Sequence, residues 1–88
     1  FVAELLEPDP ATGTGLFEVR NRFAVGDLLE LVTPQGNRRL RLERLFDANG
    51  RPVSTAPGSG HRVRIPLDPL PAPPVLVARF LEEARTRG

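Results

Sequence analysis

Turn chemistry constrains this chain most. Ten prolines and eight glycines are spread along 88 residues, and turn signals recur roughly every 8–12 residues up to residue 67. Long helices have no room there, and short strands are what remains. Residues 1–7 are strand-like, with Leu5 and Leu6 blurring the alternation. Pro8-Asp9-Pro10 and Thr12-Gly13-Thr14-Gly15 break it with strong turn chemistry. Residues 16–20 alternate, Phe17 and Val19 on one face, Glu18 and Arg20 on the other. Residues 21–27 read as a structured loop closing on Gly26-Asp27. Residues 28–33 are apolar enough to be buried on much of both faces. Pro34-Gln35-Gly36-Asn37 is a tight hairpin. Residues 38–45 form the return strand, with Leu40 and Leu42 inward.

Asp47-Ala48-Asn49-Gly50 is a further turn, residues 53–55 a short strand, and Pro57-Gly58-Ser59-Gly60 a loop. Residues 61–67 alternate most cleanly, Val63, Ile65 and Leu67 inward, Arg62 and Arg64 outward. That makes about six strands, the pattern of a small all-β fold. An antiparallel barrel over residues 1–67 is expected, because closure hides edges that a lone sheet exposes. Residues 68–74 hold four prolines in seven positions and read as an extended strap. Residues 75–88 read as a C-terminal helix or tail, since Leu76, Phe80 and Ala84 lie four apart. Leu76, Phe80 and Leu81 then mark an interface for the barrel or for a partner. The chain starts with Phe1 in a strand-like segment, and a fragment of a longer protein is expected.

Composition excludes much chemistry. Cysteine is absent, which removes disulfides, thiolate zinc, iron–sulfur clusters and a cysteine nucleophile from these residues. The one histidine, His61, has no cluster of carboxylates around it, so neither a metal nor another cofactor is expected. Ser59 and His61 share a glycine-rich loop without a nucleophile-elbow pattern. No catalytic residue is expected in this chain. No run of about 20 apolar residues and no signal-peptide pattern is seen, so a cytoplasmic setting without a membrane partner is expected.

Charge is more informative. The formal net charge is +1, and all 12 basic residues are arginine. Residues 1–18 hold four acids and no base. Residues 38–51 hold Arg38, Arg39, Arg41, Arg44 and Arg51 against Glu43 and Asp47, a balance of +3. If the fold gathers these with Arg20, Arg22, Arg62 and Arg64, an arginine face results. Guanidinium groups on such a face hold phosphates by bidentate hydrogen bonds. Phe17, Phe46 and Phe80 are expected in the core, and Phe23 is the phenylalanine expected outside it.

The run from Glu18 to Glu30, with Arg20-Asn21-Arg22-Phe23 and Gly26-Asp27 inside it, resembles a signature of the C-terminal domain of the U32 peptidase family. Thr33-Pro34-Gln35-Gly36, Asp47-Ala48-Asn49-Gly50-Arg51-Pro52-Val53, Ala56-Pro57 and Val63-Arg64-Ile65-Pro66-Leu67 follow in the family's order. The match covers residues 2–74. The family's short acidic ending is replaced by Pro74-Val75-Leu76-Val77-Ala78-Arg79-Phe80. The resemblance implies a β-barrel similar to the second domain of translation elongation factors, appended to a catalytic domain. Some U32 proteins are called collagenase-like proteases. Others act in hydroxylation of tRNA or ribosomal RNA, with an iron–sulfur cluster in the other domain. The resemblance therefore implies a non-catalytic accessory module whose parent is an enzyme and whose first partner is its own catalytic domain. Its expected role is to recruit or position a protein or RNA substrate, with Arg20, Asn21, Arg22 and Phe23 as the recognition loop. Arg39, Arg41, Arg62 and Arg64 would add supporting charge. The rival expectation is a docking or homo-oligomerisation module.

Overall fold

The computed structural model describes residues 1–80. It has the all-β, antiparallel class expected, built from ten strands where about six were expected. They are β1 Ala3–Asp9, β2 Thr14–Val19, β3 Phe23–Ala24, β4 Leu28–Thr33, β5 Gly36–Arg41, β6 Leu45–Asp47, β7 Pro52–Val53, β8 Thr55–Ala56, β9 Arg62–Pro66 and β10 Leu76–Phe80. Eight form one sheet in the order β5-β4-β10-β1-β2-β9-β6-β7, and β3 pairs with β8 in a separate ribbon. The sheet wraps round a single core, but β5 and β7 end its order, so the ladder is not continuous.

Period-2 patterning explains which side each strand turns inward. Phe17 and Val19 of β2, Leu29 and Leu31 of β4, and Val63 and Ile65 of β9 are all buried. On β4 only that face is covered. Leu28 and Glu30 are half-buried and Val32 is 36% exposed, so the expectation of burial on both faces is corrected. The blurred alternation at Leu5 and Leu6 has a physical cause. The β1–β2 register shifts between Leu5 and Glu7, which is a β-bulge that leaves Leu5 buried and Leu6 outside. Gly15 sits beside it. A Cβ there would lie 2.9 Å from both Leu5 Cδ1 and Phe17 Cε1, so the core closes over a missing side chain.

The helix expected over residues 75–88 is corrected: residues 76–80 are a strand. β10 lies between β1 and β4, with Ala3 opposite Val77 and Val77 opposite Leu31. Val75 and Val77 are fully buried, and Leu76 and Ala78 face outward half-buried. The Leu76–Phe80 spacing fits a helix, but two β-branched valines in alternate positions fit a strand better. An open place between β1 and β4 decides between them. Leu81 and the rest of the tail lie outside the described residues. The proline-rich strap over residues 68–74 has no regular structure, and peptide bonds 68–69 and 73–74 are cis.

Candidate functional site

The Arg20–Phe23 loop is positioned by the first strand. Val2 O accepts from the N–H groups of Arg20 (2.7 Å) and Asn21 (3.2 Å), and Asn21 Nδ2 donates to Phe1 O at 3.0 Å. Asn21 is thus a backbone clamp. Arg20 Nη2 meets Glu4 Oε1 at 2.8 Å, both side chains about half exposed (52% and 41%). The expectation of an exposed Phe23 is corrected: it is fully buried opposite Ala56 in the β3–β8 ribbon. A β-strand points successive side chains to opposite sides, and a ribbon laid over the core sends its phenylalanine inward. Arg22 is exposed, and its carbonyl accepts from Arg79 Nη1 at 3.4 Å. The loop therefore offers Arg22 more than a four-residue recognition surface.

Of the four supporting arginines, Arg39 and Arg41 line one groove, Arg64 lines a neighbouring cleft and Arg62 lines neither. Arg62 and Arg64 lie on β9, five places along the sheet order from β5, which carries Arg39 and Arg41. Arg62 stands opposite Glu18 in the β2–β9 register. Arg64 is tied down at both ends of its guanidinium. Its Nε donates to Ala48 O at 3.1 Å and its Nη1 to Asp9 Oδ2 at 3.0 Å. Arg39 lies over the Phe80 ring at 4.4 Å from its centre, a cation–π stack that fixes the head without neutralising it. Arg41 Nη1 donates to Gly26 O at 3.0 Å, and Arg38 Nη2 to Pro69 O at 3.2 Å.

What the wrapping of the sheet does assemble is a groove of about 420 Å³ between residues 38–44 and residues 66–68. Its walls carry Arg38, Arg39, Arg41 and Arg44 against Glu43 and Asp68, four positive charges less two negative, a net +2. Arg38 donates to a carbonyl and Arg39 and Arg44 lie over aromatic rings, arrangements that leave their charges in place. Arg44 and Pro66 continue into a second cleft of about 390 Å³. That cleft lies between the β1–β2 turn and the β6–β7 turn and includes Phe46. The β6–β7 turn is an Asx turn: Asp47 Oδ1 accepts from the N–H groups of Asn49 (2.9 Å) and Arg51 (3.0 Å).

Arg38 and Arg44 belong to the charge balance over residues 38–51, yet strand alternation singles out only Arg39 and Arg41. Arg44 falls in the break at residues 42–44, where alternation has no meaning. Phe46, expected in the core, is half-buried on the outer side of β6 in register with Arg64. Phe80 is likewise half-buried beneath Arg39. Phe17 is in the core as expected.

His61 Nδ1 lies 3.3 Å from Gly58 O and closes its own loop. Among the described residues there is no group of three or more His, Cys, Asp or Glu placed to hold a metal ion. No helix among them is long and apolar enough to cross a membrane.

The chain is similar to several known proteins. A tRNA hydroxylation protein P of Escherichia coli (strain K12) is 49% identical over 49 residues, covering 56% of this chain and 11% of that protein. Its Haemophilus influenzae namesake is 35% identical over 63 residues, covering 72% of this chain and 14% of that protein. The chain therefore spans a small part of the curated relatives it matches. Among solved structures, the C-terminal domain of a Geobacillus thermoleovorans protein described as a U32 peptidase has the same fold. It matches with a TM-score of 0.81 and 24% identity over 92% of each chain. Its selenomethionine variant matches with a TM-score of 0.80 and 26% identity, over 91% of this chain and 98% of that one. The model of the peptidase family U32 C-terminal domain matches residues 1–79. With nearly the whole described chain covered by that model, the chain belongs to the peptidase family U32 C-terminal domain family.

Proposed function

We propose that this domain recruits tRNA for a catalytic domain elsewhere in its parent enzyme and performs no chemistry itself. The observation that carries the reading is the arginine groove beside β5, the strand that ends the sheet order. Arg39 and Arg41 are spaced about 7 Å apart on the strand, and Arg38 and Arg44 line the same groove. Arginine suits this work, because its planar fork meets two phosphate oxygens at once. The names of the two curated relatives support RNA as the partner. A cytoplasmic setting follows from that partner.

The test is a titration with bulk tRNA at 50 and 200 mM salt. About two or three phosphate contacts predict a loss of roughly 12- to 40-fold in affinity across that range. Arg39→Ala with Arg44→Ala should weaken binding about tenfold or more and flatten the salt slope by about 2. Arg62→Ala, on the part of β9 remote from the groove, should change affinity less than about twofold. Binding of denatured collagen in place of tRNA would move the recruited substrate to protein. A docking role has one observation in its favour: Leu28, Leu76 and Phe80 lie half-buried on the outer face around β10, beside exposed Val32. Salt-insensitive self-association with no tRNA binding would select it.

A further inference from the structure

The groove explains attraction to a phosphate backbone, but it does not explain the cleft that continues from it. That cleft has a different lining. Its floor is Arg64, whose charge is met by Asp9 at 3.0 Å, so the floor is electrically balanced. One wall is Phe46, with the Arg44 guanidinium 6.0 Å from its ring centre. The rim is the β6–β7 turn, where the exposed Asn49 side chain has no partner among the described residues. The volume of about 390 Å³ is at the lower end of small-molecule sites, which run from about 300 to 1,000 Å³.

A phosphate-only track needs none of this. An aromatic face, a cation beside it and an amide with both donor and acceptor are the parts that hold an unstacked base. The base stacks on the ring, the guanidinium covers or flanks it, and the amide meets its hydrogen-bonding edge. A paired base cannot reach such parts, because its faces and edge are already occupied. The shared position of Arg44 is informative. It lines both the groove and the cleft, so a strand whose phosphates follow Arg38, Arg39 and Arg41 arrives at the cleft with its next base beside Phe46.

We infer that the cleft between the β1–β2 and β6–β7 turns takes one unpaired nucleotide of an RNA strand whose backbone lies in the arginine groove. The inference rests on the tRNA reading above and adds to it a preference for a single-stranded segment over a helix.

The experiment uses two probes: a hexaribonucleotide carrying 2-aminopurine, and a fully paired RNA hairpin with the same number of phosphates. The single strand should bind at least about fivefold more tightly, and its 2-aminopurine fluorescence should fall at saturation as the base stacks. Phe46→Leu, which keeps apolar volume, should weaken the single strand about 5- to 50-fold and leave the hairpin within twofold. Asn49→Ala lies on an exposed turn and supplies the same contrast should Phe46→Leu impair folding. It should weaken the single strand about three- to tenfold. Equal binding of both probes, or variants that affect both alike or neither, overturns the base site. If binding still depends on Arg39 and Arg44, the recruitment reading stands while the base site falls. If neither RNA binds, both fall.

Discussion

Phe23 and Arg22 are neighbours in sequence with opposite duties. Phe23 is fully buried against the ribbon partner Ala56, whereas Arg22 is exposed and contributes only its carbonyl to a described bond. Phe23→Ala should therefore cost about 3–5 kcal/mol through lost transfer energy and the cavity left behind. That is a large share of the roughly 4–12 kcal/mol expected for a domain of this length. Arg22→Ala should stay within about 0.5 kcal/mol. Urea melts of the two variants give the comparison, and equal midpoints would deny Phe23 its core role. The sequence reads this phenylalanine as exposed because Arg20, Asn21 and Arg22 lead into it and no alternation runs through it. Its burial depends on Thr55 and Ala56, some thirty residues on, which local pattern does not see. Leu6 is the contrary case. The doubled leucine breaks the alternation where a bulge inserts one residue, so that irregularity is legible in the sequence.

At the scale of elements, two strands carry the lesson. β9 is legible outright, because its alternation of arginine with Val63 and Ile65 is undisturbed and both faces have the environment the pattern demands. β10 is not. A short run that is apolar apart from Arg79 is compatible with helix and strand alike, and its two partners settle the matter. β5 raises a different question, since it ends the sheet order and its outer edge is unpaired among the described residues. Unpaired edges template association, and charged side chains are a common guard against it. Arg39 and Arg41 are exposed on this edge, so the groups proposed to bind phosphate would also guard the edge against self-pairing. Replacing both with threonine, a good strand former, should preserve the fold and raise self-association several-fold at high protein concentration. Light scattering after size exclusion measures this. A strictly monomeric double variant would show that the strap and groove geometry, not charge, protects the edge.

For the whole molecule, the decisive feature is that the last described strand fills the middle of the sheet. β1 and β4 never pair with each other. Each pairs with β10, and Val2 N–H and Leu5 N–H donate to the carbonyls of Val77 (2.7 Å) and Val75 (2.9 Å). The β4–β5 hairpin, which bears the arginine groove, joins the rest of the main sheet through that one strand. The same dependence explains why the site is only partly legible in the sequence. The charge excess over residues 38–51 is visible locally, but which arginines share a groove is set by a wrap that β10 completes. A chain ending at residue 74 should therefore lose its cooperative melt. The missing strand leaves two interior edges bare and removes fully buried Val75 and Val77, each worth about 1.5–3 kcal/mol of apolar burial. Adding a peptide of residues 72–88 in trans should restore the sheet by strand addition, with a melting transition that rises with peptide concentration as mass action requires. A peptide with Val77→Asp should fail to do so, because it would place an unpaired carboxylate in the core. Cooperative melting of the shortened chain alone would mean that β1 and β4 can pair directly, and the groove's place on the molecule would then not depend on β10.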